Sequence, residues 1–84
     1  MASVTNQISP PVQGRAITPT DGLALPLGVC RYLYIGGAGN VSVILANDTA
    51  AITLVGVPVG TTLPLMCKAV QATGTTATNI VALY

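Results

Sequence analysis

Glycine and proline recur every few residues along most of this chain, and the residues between them are rich in valine, isoleucine and threonine. In a helix interior each glycine costs about 1 kcal/mol and each proline about 3 kcal/mol, which leaves no room for a long helix. β-Branched side chains instead favour a pleated surface. The chain therefore reads as short strands separated by turns.

The strands can be placed along the sequence. A short one is expected over 14–18, followed by a turn at Pro19-Thr20-Asp21-Gly22, where proline fixes φ and glycine accepts a positive φ. Leu23-Ala24-Leu25-Pro26-Leu27 is an apolar connection. From Cys30 to Ile35 the side chains alternate, with Tyr32 and Tyr34 on one face and Arg31, Leu33 and Ile35 on the other. Gly36-Gly37-Ala38-Gly39-Asn40 reads as a tight hairpin turn into a strand from Asn40 to Ala46. That strand sets Val41, Val43 and Leu45 against Ser42, Ile44 and Ala46. After a turn at Asn47-Asp48-Thr49 come a strand from Ala51 to Val57, a break at Pro58-Val59-Gly60-Thr61, and a strand from Leu63 to Ala72. Pro64 stands near the start of the last, where a missing N–H is tolerated. Residues 73–77 are a loop, and Thr78 to Leu83 is the closing strand. No repeat occurs at a solenoid period.

Five or six short, mostly antiparallel strands without a helix predict an all-β fold, a small β-sandwich or barrel, with residues 14–84 as one domain. Residues 1–13 read as an extended N-terminal arm that Pro10-Pro11 holds in a polyproline-like conformation. Its apolar Val4, Ile8 and Val12 suit a segment that is either disordered or laid on a neighbouring subunit.

Composition bears on what surrounds such a domain. Charged residues make up 6% of the chain and hydrophobic residues 51%, whereas a typical soluble domain has about 25% charged residues. A core is well supplied and the usual charged surface is missing, so a free monomer is prone to association. Several strands are apolar on both faces, while a sheet with one wet face would alternate. Small domains gain stability from disulfides, metal or oligomerisation. With no histidine or glutamate, and with Cys30 and Cys67 far apart in sequence, no metal site is indicated, and one bridge is not a framework. The two cysteines read as small buried hydrophobes rather than as a metal or redox pair. Oligomerisation remains. Candidate interface residues are Val4, Ile8 and Val12 of the arm, Tyr32 and Tyr34, Ile44, and Arg31, whose planar fork suits an interface as well as a solvated strand end.

The same composition argues against an enzyme and against any cofactor. Nucleophilic catalysis needs a base beside the nucleophile. Lys68 is the sole lysine, and Asp21 and Asp48 sit in turns, where aspartate bonds its own backbone. Gly36–Gly39 leads into a strand and not a helix, so it is no phosphate cradle. A net charge of +1 and three tyrosines as the only aromatics indicate no direct nucleic-acid binding. No run of 18 apolar residues predicts a membrane helix. The N-terminal stretch lacks a basic start and an apolar core, so no secretory signal is read and synthesis in the cytoplasm is expected. The sequons Asn40-Val41-Ser42 and Asn47-Asp48-Thr49 read as turn chemistry.

Three strings carry a resemblance: Arg31-Tyr-Leu-Tyr-Ile-Gly-Gly-Ala-Gly39, Gly56-Val-Pro-Val-Gly60, and Ala72-Thr-Gly-Thr-Thr-Ala-Thr78 continuing through Ile80-Val-Ala-Leu-Tyr84, with Ile17-Thr-Pro-Thr-Asp21 before them. In order and spacing, over about residues 15–84, the chain resembles the head spike base proteins of gene transfer agents and tailed bacteriophages. The resemblance implies a virion structural protein: a small all-β subunit that forms a symmetric ring, a pentamer at a capsid vertex, binds the major capsid protein and carries a spike or fibre protein. The family is more basic around Leu65–Val70, where this chain has Met66, Cys67 and Lys68 alone. A near alternative is a trimeric cement protein, a head decoration at three-fold positions. An alternative of another class is a carbohydrate- or host-binding module of a tail or fibre, with Tyr32 and Tyr34 as its aromatic platform.

Overall fold

The computed structural model describes residues 10–84. Seven strands follow in order: β1 (Gly14–Ile17), β2 (Tyr32–Gly37), β3 (Gly39–Leu45), β4 (Ile52–Val57), β5 (Thr61–Leu63), β6 (Cys67–Gln71) and β7 (Thr78–Leu83). No helix occurs among the described residues. The strands form a four-stranded sheet in the order β1-β7-β2-β5 and a three-stranded sheet in the order β4-β3-β6. All pairings are antiparallel. Side chains from both sheets meet in one core, so the domain is a two-layer sandwich.

Alternation sets the core. Leu33 and Ile35 of β2 pair with Ala82 and Ile80 of β7, and all four are buried. Val41 and Val43 of β3, with Cys67 and Val70 of β6, face them from the other sheet. Leu25 closes the core from the connection that precedes β2, and its N–H donates to the Lys68 carbonyl at 2.9 Å. The Thr20 N–H likewise donates to the Val70 carbonyl at 3.1 Å. The 18–30 connection therefore runs along the free edge of β6 and takes up hydrogen-bonding groups that an open edge would expose.

Three expectations from sequence need correction. Gly36–Asn40 is not a hairpin turn, because β2 and β3 belong to different sheets and do not pair. Glycine is needed there for another reason: the corner passes close to 76–79, and a Cβ on Gly39 would lie 2.6 Å from the Ala77 nitrogen. The strand expected from Leu63 to Ala72 is strand only over Cys67–Gln71 (β6), and Leu63 instead ends β5, which starts at Thr61 inside the expected break and lies in the other sheet. Pro64 lies between them, where the Leu65 N–H reaches back to the Leu63 carbonyl at 2.9 Å and bends the chain from one layer to the other. Last, the strand expected from Cys30 begins at Tyr32, since the Cys30 N–H donates across the layers to the Cys67 carbonyl at 3.1 Å. The count therefore rises from five or six strands to seven.

Candidate interaction surface

The outer face of the four-stranded sheet follows from its registers. Tyr32 lies opposite Leu83 and Tyr34 opposite Val81, while β1 sets Gly14 beside Leu83 and Ala16 beside Val81. A Cβ on Gly14 would meet Leu83 Cδ2 at 3.3 Å, so glycine lets β1 close against that leucine. Thr62 of β5 completes the row beyond Tyr34. Tyr34 is 38% exposed, and Tyr32, Val81 and Leu83 are half-buried. No residue in this row carries a charge, so an approaching apolar partner meets no charged group to desolvate.

The outer face of the three-stranded sheet is partly covered by its own chain. Ser42, which reads as an outward residue of β3, is buried. The Thr73–Ala77 loop folds over it: Ser42 N–H donates to Thr75 Oγ1 at 2.9 Å, and Gly74 lies close enough that its Cβ would stand 3.4 Å from Ser42 Cβ. Ile44, opposite Ala69, remains half-buried at the far end of this face. Part of the cover that a two-faced apolar strand requires is thus supplied by the chain itself.

The sequence-derived candidates fall on different surfaces. Tyr32 and Tyr34 lie on the outer face of the four-stranded sheet, and Ile44 on the opposite outer face. Arg31 precedes β2, its N–H donating to the Leu83 carbonyl at 2.8 Å. Val12 is 88% exposed, and its N–H donates to the Tyr84 carbonyl at 2.7 Å, which ties the start of the described chain to its other end. Val4 and Ile8 lie outside the described residues. Sequence reasoning passed over Val55 of β4 and Val59 beyond it, 78% and 66% exposed. β4 has a strand partner on one side only. Val55 faces outward by alternation with Leu54, and a bulge with Gly56 at φ +72°, its N–H held by Asn40 Oδ1 at 3.0 Å, then shifts the register so that Val57 returns to the core. The run Val55-Gly-Val-Pro-Val59 carried the signal, an uncharged apolar stretch around a glycine.

The titratable groups are placed apart. Asp21 does not bond its own backbone as its turn suggests; its carboxylate accepts from the Thr73 hydroxyl at 2.5 Å and from the Thr73 N–H at 3.0 Å. These two donors hold it below the usual aspartate range. Lys68 is the extra residue of a bulge in β6 against β3. Among the described residues, no group of three or more cysteine or acidic side chains stands together as metal ligands would. Cys30 and Cys67 are both fully buried, as expected for small apolar residues, but the fold also brings them together, with their sulfurs 3.4 Å apart and unbridged. The hydrogen bond between them pushes the Cys30 thiol down to about 7, and the Cys67 thiol, which gives up its proton only beside an existing thiolate, far upward.

An open cleft of about 360 Å³ lies between β1 and the connection that follows it, lined by Ile17, Thr18, Leu23, Leu25 and Val70 among others. No tyrosine borders it, so the aromatic pair and the concave site that a sugar would need are in different places.

Among solved structures, the chain is similar to one in the capsid of a native GTA (gene transfer agent) particle computed with C5 symmetry. The TM-score is 0.80 at 29% identity, covering 93% of this chain and 88% of that one. No protein-family model and no curated protein matches the chain.

Proposed function

We propose that this chain is a structural protein of a phage-like virion, a capsid-associated subunit that self-assembles into a closed ring and acts as a head spike base. The ring seats on the major capsid protein and carries a spike or fibre protein. The observation that carries this reading is the similarity to a chain of a GTA capsid, at 29% identity over nearly the full length of both chains. Two features of the subunit support it. Its outer sheet face is apolar and uncharged, as a surface buried by neighbours should be. Its apolar candidates also lie on opposite sides of the sandwich, and a cyclic ring needs two different patches per subunit, one facing each neighbour.

Five-fold symmetry is the first expectation, because the particle that holds the similar chain was computed with C5 symmetry. Light scattering on the purified chain across a dilution series tests it. A pentamer that persists on dilution supports the spike base. A stable trimer replaces it with a cement protein at three-fold positions. A monomer at every concentration refutes self-assembly in free solution and leaves assembly only on the capsid.

A further inference from the structure

Cys30 ends the connection that leads into β2 of one sheet, and Cys67 opens β6 of the other. They are 37 residues apart in sequence, their sulfurs are 3.4 Å apart, and both side chains are fully buried. Their backbones are also joined, the Cys30 N–H donating to the Cys67 carbonyl at 3.1 Å. A backbone bond and a sulfur separation this short fit the Cα spacing of about 4.4–6.8 Å that a disulfide spans. Reaching an S–S bond of about 2.05 Å asks each sulfur to move by roughly 0.7 Å, a side-chain adjustment with no strand displaced. Cys30 Sγ also approaches the Leu65 carbonyl at 4.0 Å, and the pair is otherwise set within the core.

We propose that Cys30 and Cys67 are an oxidative modification site, closed by a peroxide into an intramolecular disulfide that staples the two sheets. A small oxidant is required because both sulfurs are enclosed, and a peroxide is close to water in size whereas a bulky disulfide is not. At 3.4 Å either thiol can donate to the other, so either sulfur can attack and the product is the same. With Cys30 as the attacking sulfur, its thiolate attacks one oxygen of hydrogen peroxide, the O–O bond breaks, and the leaving hydroxide takes up the proton released by Cys30 to become water. Cys30 is now a sulfenic acid. Cys67 sulfur attacks Cys30 sulfur, the S–O bond breaks, and the hydroxide departs with the Cys67 proton as a second water. Two thiols have lost two electrons, and one peroxide has become two waters. The closed loop restricts the unfolded chain, so the thermal midpoint should rise by on the order of 10 °C. This inference does not depend on the function proposed above.

The test exposes the folded, fully reduced protein to hydrogen peroxide, removes the oxidant, and alkylates with iodoacetamide in denaturant before mass analysis. The expected product has lost two hydrogens, takes up no alkyl group and yields one cross-linked peptide pair holding Cys30 and Cys67. Its thermal midpoint is raised, and dithiothreitol reverses the rise. Alkylation of both cysteines, oxygen added to either sulfur, or a bond between two chains would each overturn the proposal. In Cys67→Ala the peroxide-dependent rise should vanish, and a rise of equal size would overturn it as well. The wild-type mass result decides the matter even if that variant does not fold.

Discussion

Asp21 ties two loops that are far apart in sequence, through the hydroxyl and N–H of Thr73. Both donors favour the ionised carboxylate, so its pKa is lower in the folded chain than the ordinary 3.8. A group depressed in this way stabilises the fold above its unfolded-state value, and the contribution drains away as pH falls through the folded-state value. Asp21→Asn should therefore flatten the acid limb of the stability profile below about the ordinary carboxylate range. Urea midpoints measured from neutral to acid pH check this; identical acid limbs in the two proteins would count against it. The turn itself was legible, since Pro19 and Gly22 announce it and Gly22 has φ +76°. The partner was not, because nothing local to Asp21 marks a threonine 52 residues away.

At the scale of elements, alternation was a good guide to which residues point inward and a poor one to which strands meet. Leu33 and Ile35 are buried and Tyr34 exposed, as parity requires. The closing strand falls on the expected residues. What failed was the meaning of the punctuation. Glycines at 36–39 signal close backbone approach, and a hairpin and a corner between layers use them alike; the choice depends on distant residues 76–79. Leu63–Ala72 looks continuous because both halves are apolar, although Pro64 sends them to different sheets. Of the candidate surface, the tyrosine face was legible from period two. Val55 shares that legibility, standing opposite Leu54 in parity, but its exposure beside an unpaired edge was not legible, because strand order depends on distant pairings. Ile44 offers the sharpest test of an interface at this scale. It is half-buried on a sheet face opposite the tyrosines, so Ile44→Asp should cost the subunit fold only about 1 kcal/mol. Burying that charge against a neighbour should cost at least about 2 kcal/mol more, weakening the ring roughly 30-fold. Native mass on dilution reads the second effect and urea unfolding the first; an unchanged oligomer would remove Ile44 from the interface.

For the whole molecule, the domain holds its start against its end. Gln13 and Tyr84 exchange backbone hydrogen bonds, and Tyr84 Oη accepts from the Leu27 N–H at 3.2 Å. A chain lacking residues 2–11 keeps the Gln13–Tyr84 pair, so it should still unfold cooperatively at nearly the same midpoint while binding capsids less tightly. Calorimetry and co-sedimentation with capsids check the two halves of that prediction, and loss of cooperative unfolding would assign the segment to the core. The position of β7 carries a further consequence. It is the last of the seven strands in the chain, yet it lies inside its sheet, between β1 and β2. During synthesis neither of those strands has its principal neighbour until 78–83 has emerged. Such non-local closure is slow to nucleate. A copy stalled before β7 therefore lacks the strand on which the tyrosine face is built, and if the proposed ring uses that face, strand order alone would keep unfinished copies out of it.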